Sequence, residues 1–119
     1  MYFTPSHEWI ICNDDIATIG ITSYAQSELG EIVYVELPKI GSNIEKGQEL
    51  AILESTKAAA DVYSPVSGKI IELNTTLIDD CSKINSSPES AGWICKIQLS
   101  NPSDLTDLMD RKNYLVLIG

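Results

Sequence analysis

The sequence predicts a single, mainly β domain with a short helix near residues 23–29 and a C-terminal helix from about residue 102. Short apolar runs rich in Ile, Val and Tyr recur along the chain, and turn-forming Pro, Gly, Asn and Asp separate them. The pattern Val-x-x-Pro-x-x-Gly-x-x-Ile occurs at residues 35–44 and again at 62–71, which suggests two similar β halves. A chain of 119 residues is long enough for one thin core and too short for two domains.

The N-terminal part of the chain predicts a β-hairpin followed by a short helix. The chain begins irregularly around Pro5, forms a strand that turns at residues 13–15, and returns as a second strand over residues 16–21. Thr22 is a typical N-cap for the helix, and Gly30 is a typical residue at its end.

Three further strands are predicted over residues 31–37, 69–73 and 92–99. In the first, simple alternation divides the side chains between two faces: Ile32, Tyr34 and Glu36 on one, and Val33, Val35 and Leu37 on the other. In the last, alternation places four apolar side chains on one face: Trp93, Cys95, Ile97 and Leu99.

Two later segments must attach to this β domain. The connection over residues 74–91 is too long for a structureless loop in a compact domain, so Leu77, Ile78 and Ile84 are expected to pack on the core. Pro102 opens the C-terminal helix, whose predicted apolar stripe consists of Leu105, Leu108 and Met109. We expect residues 114–118 to dock onto the domain.

Residues 49–63 allow two structures. Their Leu, Ala, Glu and Lys favour a helix, in which Lys57 would pair with Glu54 and Asp61 on a solvated face. The apolar stripe of such a helix would run into these charges and would have little to bury. Turn residues on both sides favour a hairpin with Lys57 at its tip, which would also preserve the repeat. Pro-x-x-Gly is common turn chemistry, so the repeat alone does not decide.

Composition excludes several classes of function. The chain has 17 acidic and 8 basic side chains, so its net charge of −9 argues against nucleic-acid or anionic-membrane binding and favours basic protein partners. The three cysteines, Cys12, Cys81 and Cys95, have no metal or disulfide spacing, which fits a reducing compartment, the cytoplasm. His7 is the only histidine, and it lacks a second ligand at metal-binding spacing. No signal peptide or spanning segment is predicted.

Lys57 is the strongest candidate functional residue. His7 is the only imidazole base, no nucleophile motif surrounds a cysteine, and no glycine loop could bind phosphate, so hydrolysis and nucleotide binding are disfavoured. Lys57 has small neighbours, Thr56 and Ala58, which would let a modifying enzyme reach its amine. The residues therefore favour a carrier or binding module.

The motif around Lys57 resembles a known family of carriers. Glu54-x-x-Lys57 followed by Pro65 and Gly68 resembles the swinging-arm hairpin of lipoyl and biotinyl domains. The full motif Glu-Ser-x-Lys-Ala-x-x-Asp-Val-Tyr-x-Pro-Val-Ser-Gly is similar to the glycine cleavage H proteins. Further blocks resemble that family in order along the chain: Phe3–Trp9, Gly20–Gln26 with Leu29-Gly30, Val33–Pro38, Asn85–Pro88 with Gly92-Trp93, and Tyr114.

The resemblance implies a fold and a modification. The fold would be a barrel-sandwich hybrid of two small antiparallel sheets, in which Lys57 at a hairpin tip carries lipoic acid through an amide bond. Four neighbours would guide the modifying enzyme, a lipoate ligase or an octanoyl or lipoyl transferase: Glu54, Thr56, Ala58 and Gly68.

The resemblance also implies a non-catalytic shuttle function. The lipoyl arm would accept an aminomethyl group from a pyridoxal-phosphate glycine decarboxylase and deliver it to a tetrahydrofolate-dependent aminomethyltransferase, and an FAD dihydrolipoyl dehydrogenase would reoxidise it. A surface cleft with Ser6, Glu8 and Asp61 would shelter the cationic cargo. His7 is expected to be structural, and the carrier is expected to be a monomer.

Three departures from the family pattern fall in the long connection, where Cys81 replaces Pro, Lys83 replaces an apolar residue and Glu89 replaces Tyr. They put partner recognition in doubt more than modification of the lysine. Alternative functions are an H-like carrier that relays lipoyl groups to other enzymes, a biotinyl carrier, and an unmodified β interaction module.

Overall fold

The computed structural model describes residues 1–119 and contains two sheets in which every strand pair is antiparallel. The nine strands are β1 (Tyr2–Phe3), β2 (Glu8–Asn13), β3 (Ile16–Ile21), β4 (Ile32–Glu36), β5 (Asn43–Ile44), β6 (Glu49–Ser55), β7 (Ala59–Tyr63), β8 (Gly68–Leu73) and β9 (Cys95–Leu99). The six-stranded sheet has the order β1-β2-β3-β9-β8-β5, and the three-stranded sheet has the order β4-β6-β7. The expected mainly β fold with two antiparallel sheets is confirmed.

The helices are short and lie between or after the strands. They are α1 (Ser23–Leu29), α2 (Thr76–Asp79), α3 (Ser82–Ser86), a 3₁₀ helix (Pro102–Asp107) and α4 (Arg111–Ile118). None of them is both long and apolar enough to cross a membrane.

The predicted N-terminal hairpin and helix are present. Strands β2 and β3 pair from Glu8 opposite Ile21 to Asn13 opposite Ile16. The Thr22 hydroxyl accepts a 3.2 Å hydrogen bond from the Ala25 amide and caps α1. Gly30 follows α1 with a φ of +84°, a conformation that glycine adopts without strain.

The predicted alternation along β4 is wrong. Ile32 and Val35 are both buried, whereas Val33 is 55% exposed. The pairing of β4 with β6 shifts between Ile32 and Tyr34, where β4 contains an extra residue. Such a bulge moves the later side chains to the opposite face of the strand. Val35, three residues after Ile32, therefore also points inward.

Residues 49–63 form a hairpin and not a helix. Strands β6 and β7 pair from Glu49 opposite Tyr63 to Glu54 opposite Ala59, and Thr56–Ala58 connect them. Leu50, Leu53 and Val62 are buried in the main core, which the helix could not have filled. The intrinsic helix preference is weak, and burial of apolar surface outweighs it.

The sequence repeat corresponds to a structural repeat. Each copy begins in the three-stranded sheet, on β4 or β7, and these two strands flank β6 on either side. Each copy ends in the six-stranded sheet, on β5 or β8, and these two strands pair with each other. The Pro-x-x-Gly segments are therefore two of the crossings between the sheets, and the second of them directly follows the Lys57 hairpin.

The long connection is tied down by two of the three predicted anchors. Leu77 on α2 and Ile84 on α3 are fully buried, but Ile78 is 61% exposed, so its predicted packing is wrong. Successive residues of a helix point about 100° apart, which turns Ile78 away when Leu77 faces the core. The Asn74 side-chain amide donates to the Trp93 carbonyl at 2.8 Å and closes the connection.

The C-terminal elements differ from the prediction in detail. Strand β9 begins at Cys95, and Trp93 packs on a separate small cluster instead of the main core face. The segment that Pro102 opens is a 3₁₀ helix, which ends before Leu108. The Met109 amide donates to the Phe3 carbonyl at 2.9 Å and the Phe3 amide donates back at 2.8 Å, so residue 109 is held extended and no single helix can form.

Helix α4 contains the segment predicted to dock at residues 114–118, of which Tyr114 and Ile118 pack on the domain, whereas Leu115, Val116 and Leu117 are more than half exposed. Tyr114 is buried and stacks on Phe3 with ring centroids 4.7 Å apart. Phe3, Tyr114 and Trp9 form a small aromatic core beside the main one. This arrangement fixes the segment between β1 and β2, which carries Ser6 and His7, and the start of β2 at Glu8.

Candidate functional site

Lys57 lies at the tip of a turn that is ordered by backbone hydrogen bonds. The Ser55 hydroxyl accepts from the amides of Lys57 at 3.1 Å and Ala58 at 3.0 Å. The Ser55 amide donates to the Ala58 carbonyl at 2.8 Å, and the Thr56 amide donates to the Glu31 carbonyl at 3.1 Å. These hydrogen bonds fix the backbone conformation of the tip, which protrudes from the sheet.

The Lys57 residue is exposed, and its amine forms no ion pair. The three ion pairs of the molecule join other residues. Pairing with Glu54 and Asp61, expected for a helix, is absent because the hairpin register places them opposite Ala59 and Ile52. The side chain lies against the backbone after α1, since a Cβ on Gly30 would come within 2.9 Å of Lys57 Cε.

The residues expected to guide modification occupy two environments. Thr56 and Ala58 flank Lys57 at the tip and are exposed, as is Glu54 on β6. Gly68 is buried on β8, where a Cβ would lie 2.0 Å from the Gln98 carbonyl oxygen. Close packing of β8 on β9 is the structural reason for a glycine at position 68.

A cleft of about 190 Å³ lies between α1 and the hairpin, and we call it the α1 cleft. Ser6, Glu8 and Asp61 all line it, so the structure brings together the three expected cleft residues. The remaining lining residues come from α1, β3, the hairpin and the segment before β2: His7, Ile21, Ala25, Glu28, Leu29, Leu53, Ala60 and Val62. The Lys57 side chain lies near the same helix, because it packs beside Gly30, which directly follows α1.

Glu8 is the most unusual group in the α1 cleft because its carboxylate is buried without a cationic partner. Glu8 is 2% exposed. Its Oε1 accepts 2.6 Å hydrogen bonds from the hydroxyls of Thr4 and Ser6, and Oε2 has only a 3.5 Å contact with the Tyr63 amide. A buried carboxylate is stabilised most strongly by a positive charge. The site can therefore accept a small cation beside Oε2.

A second cleft, of about 340 Å³, also borders Ser6 and Glu8. It is lined by Lys46, whose amine pairs with Asp107 at 2.6 Å, and it does not reach Asp61. Lys46 and Asp107 both line this cleft and offset each other's charge, whereas Asp61 adds a second negative charge to that of Glu8 in the α1 cleft. Electrostatics therefore favours the α1 cleft for a positively charged group.

The sequence reasoning missed Glu28, a further carboxylate in the α1 cleft. It shares a wall with Ala25 and Leu29; Ala25 lies three residues before Glu28 and four residues before Leu29 on α1. That spacing marks one helix face. The sequence offered this signal, but the face becomes identifiable as part of the site only once the position of α1 against the hairpin is known.

Of the three departures, Glu89 has a structural role. Its carboxylate accepts 2.8 Å hydrogen bonds from the Ser23 amide, at the start of α1, and from Arg111, at the start of α4. Burial alone would raise the pKa of Glu89, but these two contacts outweigh it and lower the pKa below its ordinary value. Glu89 therefore joins α1 to α4.

The other two departures are less constrained. Cys81 is half-buried, and burial raises the pKa of its thiol, so it is a poor nucleophile. Lys83 is exposed on α3. No cluster of three His, Cys, Asp or Glu side chains could hold a metal ion.

Comparison with known proteins gives matches along the whole chain. The family model for the glycine cleavage H-protein matches residues 1–118. The glycine cleavage system H protein of Caulobacter vibrioides is 50% identical over 119 residues, which cover 100% of this chain and 98% of that protein. The H protein of Rhodospirillum rubrum is 48% identical over 120 residues, covering 100% of this chain and 95% of that protein.

A solved structure is similar to the fold described above. The crystal structure of a glycine cleavage system H protein from Mycobacterium marinum matches with a TM-score of 0.90 at 34% sequence identity, covering 99% of this chain and 95% of that chain. Sequence and fold comparisons therefore agree.

Proposed function

The chain belongs to the family of glycine cleavage H proteins, the lipoyl-bearing aminomethyl carriers of the glycine cleavage system, and we propose that Lys57 is its lipoyl attachment residue. The protein is a non-catalytic component of that system. The observation that carries the proposal is an exposed lysine with an unpaired amine on an ordered hairpin tip, beside a cleft with a buried carboxylate.

The surroundings of Lys57 fit a covalent lipoyl group. Amide formation removes the positive charge of the amine, and because Lys57 has no ion pair, no such contact is lost. Exposed Thr56 and Ala58 leave the amine accessible to a ligase or transferase, and Glu54 extends the surface that this enzyme would contact. Buried Gly68 contributes through the packing of β8.

When bound, lipoate supplies a disulfide that accepts the aminomethyl group, and the residues of this chain hold the cationic cargo. Glu8 Oε2 and the exposed Asp61 carboxylate offer two charge-assisted acceptors, and the Ser6 hydroxyl fixes Glu8 Oε1. Leu29, Leu53 and Val62 supply apolar wall to the same cleft. Excluding water from the carbon atom that joins the lipoyl sulfur to the amino nitrogen of the cargo slows hydrolysis of the aminomethyl group.

The partners follow from the steps of the system to which the family belongs. We propose that the arm enters the active sites of three partner enzymes: a pyridoxal-phosphate glycine decarboxylase, a tetrahydrofolate-dependent aminomethyltransferase and an FAD dihydrolipoyl dehydrogenase. The net charge of −9 favours basic surfaces around the active sites of these enzymes. The free state of all three cysteines supports a reducing compartment, which we take to be the cytoplasm.

The attachment residue is tested by intact mass after coexpression with a lipoate ligase in medium containing lipoate. We expect one lipoyl increment on the wild type and on Lys69→Arg, whose exposed lysine lies on β8, and none on Lys57→Arg. A lipoyl increment on Lys57→Arg would contradict the proposal, as would a biotin increment on the wild type.

A further inference from the structure

His7, the only histidine of the chain, lies in the wall of the α1 cleft with an unusual backbone. Its φ is +73°, a left-handed conformation that residues other than glycine rarely adopt. The Thr22 amide donates to the His7 carbonyl at 3.0 Å, and the half-buried ring lies 4.8 Å from the Tyr24 ring. The surrounding structure therefore holds this side chain in one place.

Two buried hydroxyls connect His7 to the helices. His7 Nδ1 lies 2.8 Å from the Tyr114 hydroxyl, which lies 2.7 Å from the Thr22 hydroxyl. The Thr22 oxygen also accepts from the Ala25 amide. Thr22 is fully buried and Tyr114 is 1% exposed, so neither hydroxyl can turn to bulk water.

The direction of these hydrogen bonds follows from counting acceptors. The Tyr114 oxygen is the only acceptor within reach of the Thr22 hydroxyl proton. Thr22 therefore donates to Tyr114, and Tyr114 donates to Nδ1 of His7. The reverse order would leave the Thr22 proton buried without an acceptor, which is costly. Burial raises the pKa of Tyr114, so its proton stays in place.

We propose that His7 is held as the neutral Nε2–H tautomer by the Thr22 and Tyr114 hydroxyls, and that Nε2–H is a fixed donor to the loaded arm in the α1 cleft. Nδ1 accepts from Tyr114 and so carries no proton, and the proton of the neutral ring is on Nε2. Nε2 has no protein partner and is free to donate.

A neutral donor suits this cleft, and this step rests on the proposed carrier function. A charged imidazolium would compete with the cationic aminomethyl group for Glu8, Glu28 and Asp61, and would repel it. A neutral N–H has neither effect and can hydrogen-bond a sulfur of the arm. His7 is thus a positioning residue for the arm, while the carboxylates bind the cargo.

The tautomer is tested by NMR of the imidazole nitrogens in the unmodified, ¹⁵N-labelled protein. The single histidine makes the assignment unambiguous. We expect the wild type and Tyr2→Phe, which removes a hydroxyl with no hydrogen bond, to show one Nε2–H tautomer, and Tyr114→Phe to show a mixture of tautomers. A wild-type spectrum with the proton on Nδ1, or with averaged nitrogens, would overturn the inference.

The role toward the arm is tested by release of the aminomethyl group from the isolated, loaded protein. His7→Asn keeps a residue that tolerates positive φ, so the backbone is preserved. We expect release about two- to tenfold faster than in the wild type, the range of one lost hydrogen bond. Release at the wild-type rate from a lipoylated His7→Asn would overturn the donor role. Failure of lipoylation at Lys57 would instead contradict the carrier proposal and would leave the tautomer result intact.

Discussion

Glu8 shows how one buried side chain could protect a reactive cargo. Its Oε1 is occupied by two hydroxyl donors, so Oε2 is the atom left for a cation. In Glu8→Gln the amide oxygen can still accept from Thr4 and Ser6, but the charge is lost. We expect the loaded, isolated protein to release its aminomethyl group about 10–100-fold faster, the range of one lost charge-assisted hydrogen bond.

The matched control for this charge change is Glu36→Gln, which alters an exposed carboxylate on β4 outside the cleft. Its release rate is expected to equal that of the wild type. Equal rates for Glu8→Gln and the wild type would show that Glu8 does not hold the cargo.

Gly68 is required by packing that a side chain would disrupt. A Cβ at this position would lie 2.0 Å from the Gln98 backbone oxygen and 2.6 Å from an Ile97 methyl group, and neither neighbour is a flexible side-chain end. We expect Gly68→Ala to lower the free energy of unfolding by about 1–3 kcal/mol, measured by urea titration. The exposed neighbour provides the control, because Lys69→Ala is expected to change stability by less than about 0.5 kcal/mol. A fully stable Gly68→Ala would contradict this packing.

At the level of single residues, family resemblance predicted more of the candidate site than composition did. Lys57 was predicted from its small neighbours and from family resemblance, and Ser6, Glu8 and Asp61 were predicted from family resemblance. Ser6, Glu8 and Asp61 line one cleft. Glu28 was missed because its position depends on how α1 packs against the hairpin. The relation of His7 to Tyr114 joins residues 107 positions apart, and local pattern carries no information about such a pair.

The hairpin β6–β7 illustrates a conflict between local and tertiary preferences. Leu, Ala, Glu and Lys favour a helix by only tenths of a kcal/mol per residue. Burying side chains such as Leu50, Leu53 and Val62 contributes on the order of 1.5–3 kcal/mol each. Strand β6 also pairs with β4 on its other side, and a helix would lose these backbone hydrogen bonds. Propensity was therefore a poor guide here, and the repeat was a better one.

Other elements differed from expectation for reasons that single-sequence patterns do not contain. The bulge in β4 inserts one residue and shifts the face of Val35, which strict alternation cannot anticipate. The C-terminal helix is divided because Met109 pairs with Phe3, more than 100 residues away. Helix-end residues, by contrast, were reliable, since Thr22 accepts a hydrogen bond from the first turn of α1 and Gly30 ends that helix with a positive φ.

Glu89 joins α1 to α4, and this contact should depend on pH. The lowered pKa of Glu89 means that its ionised form stabilises the fold. This contribution is fully present above the ordinary value of 4.5 and is lost as pH falls through the lower folded-state pKa. At neutral pH, we expect Glu89→Gln to lower the free energy of unfolding by about 0.5–1 kcal/mol.

The measurement is urea unfolding of the wild type and Glu89→Gln across pH 7 to about pH 3. The difference between the two proteins is expected to shrink as the solution becomes more acidic than the ordinary pKa of 4.5. A difference that stays constant over this range would mean that the ionisation of Glu89 does not stabilise the native state.

For the molecule as a whole, the candidate site is built across both sheets, because Glu8 lies on the six-stranded sheet and the Lys57 hairpin belongs to the three-stranded sheet. The main core between the sheets and the smaller aromatic core hold the hairpin and the α1 cleft in fixed relation. The exposed lysine lies at one end of this arrangement and the buried carboxylate lies inside the cleft. A carrier needs this combination, because its arm must reach other enzymes and its cargo must avoid water between visits.

The most direct test of the carrier function is exchange of labelled bicarbonate into glycine by purified glycine decarboxylase. We expect lipoylated wild type and Lys69→Arg to support exchange, and Lys57→Arg prepared in the same way to support none. Exchange with Lys57→Arg, or its absence with wild type whose lipoylation has been verified by mass, would contradict the account.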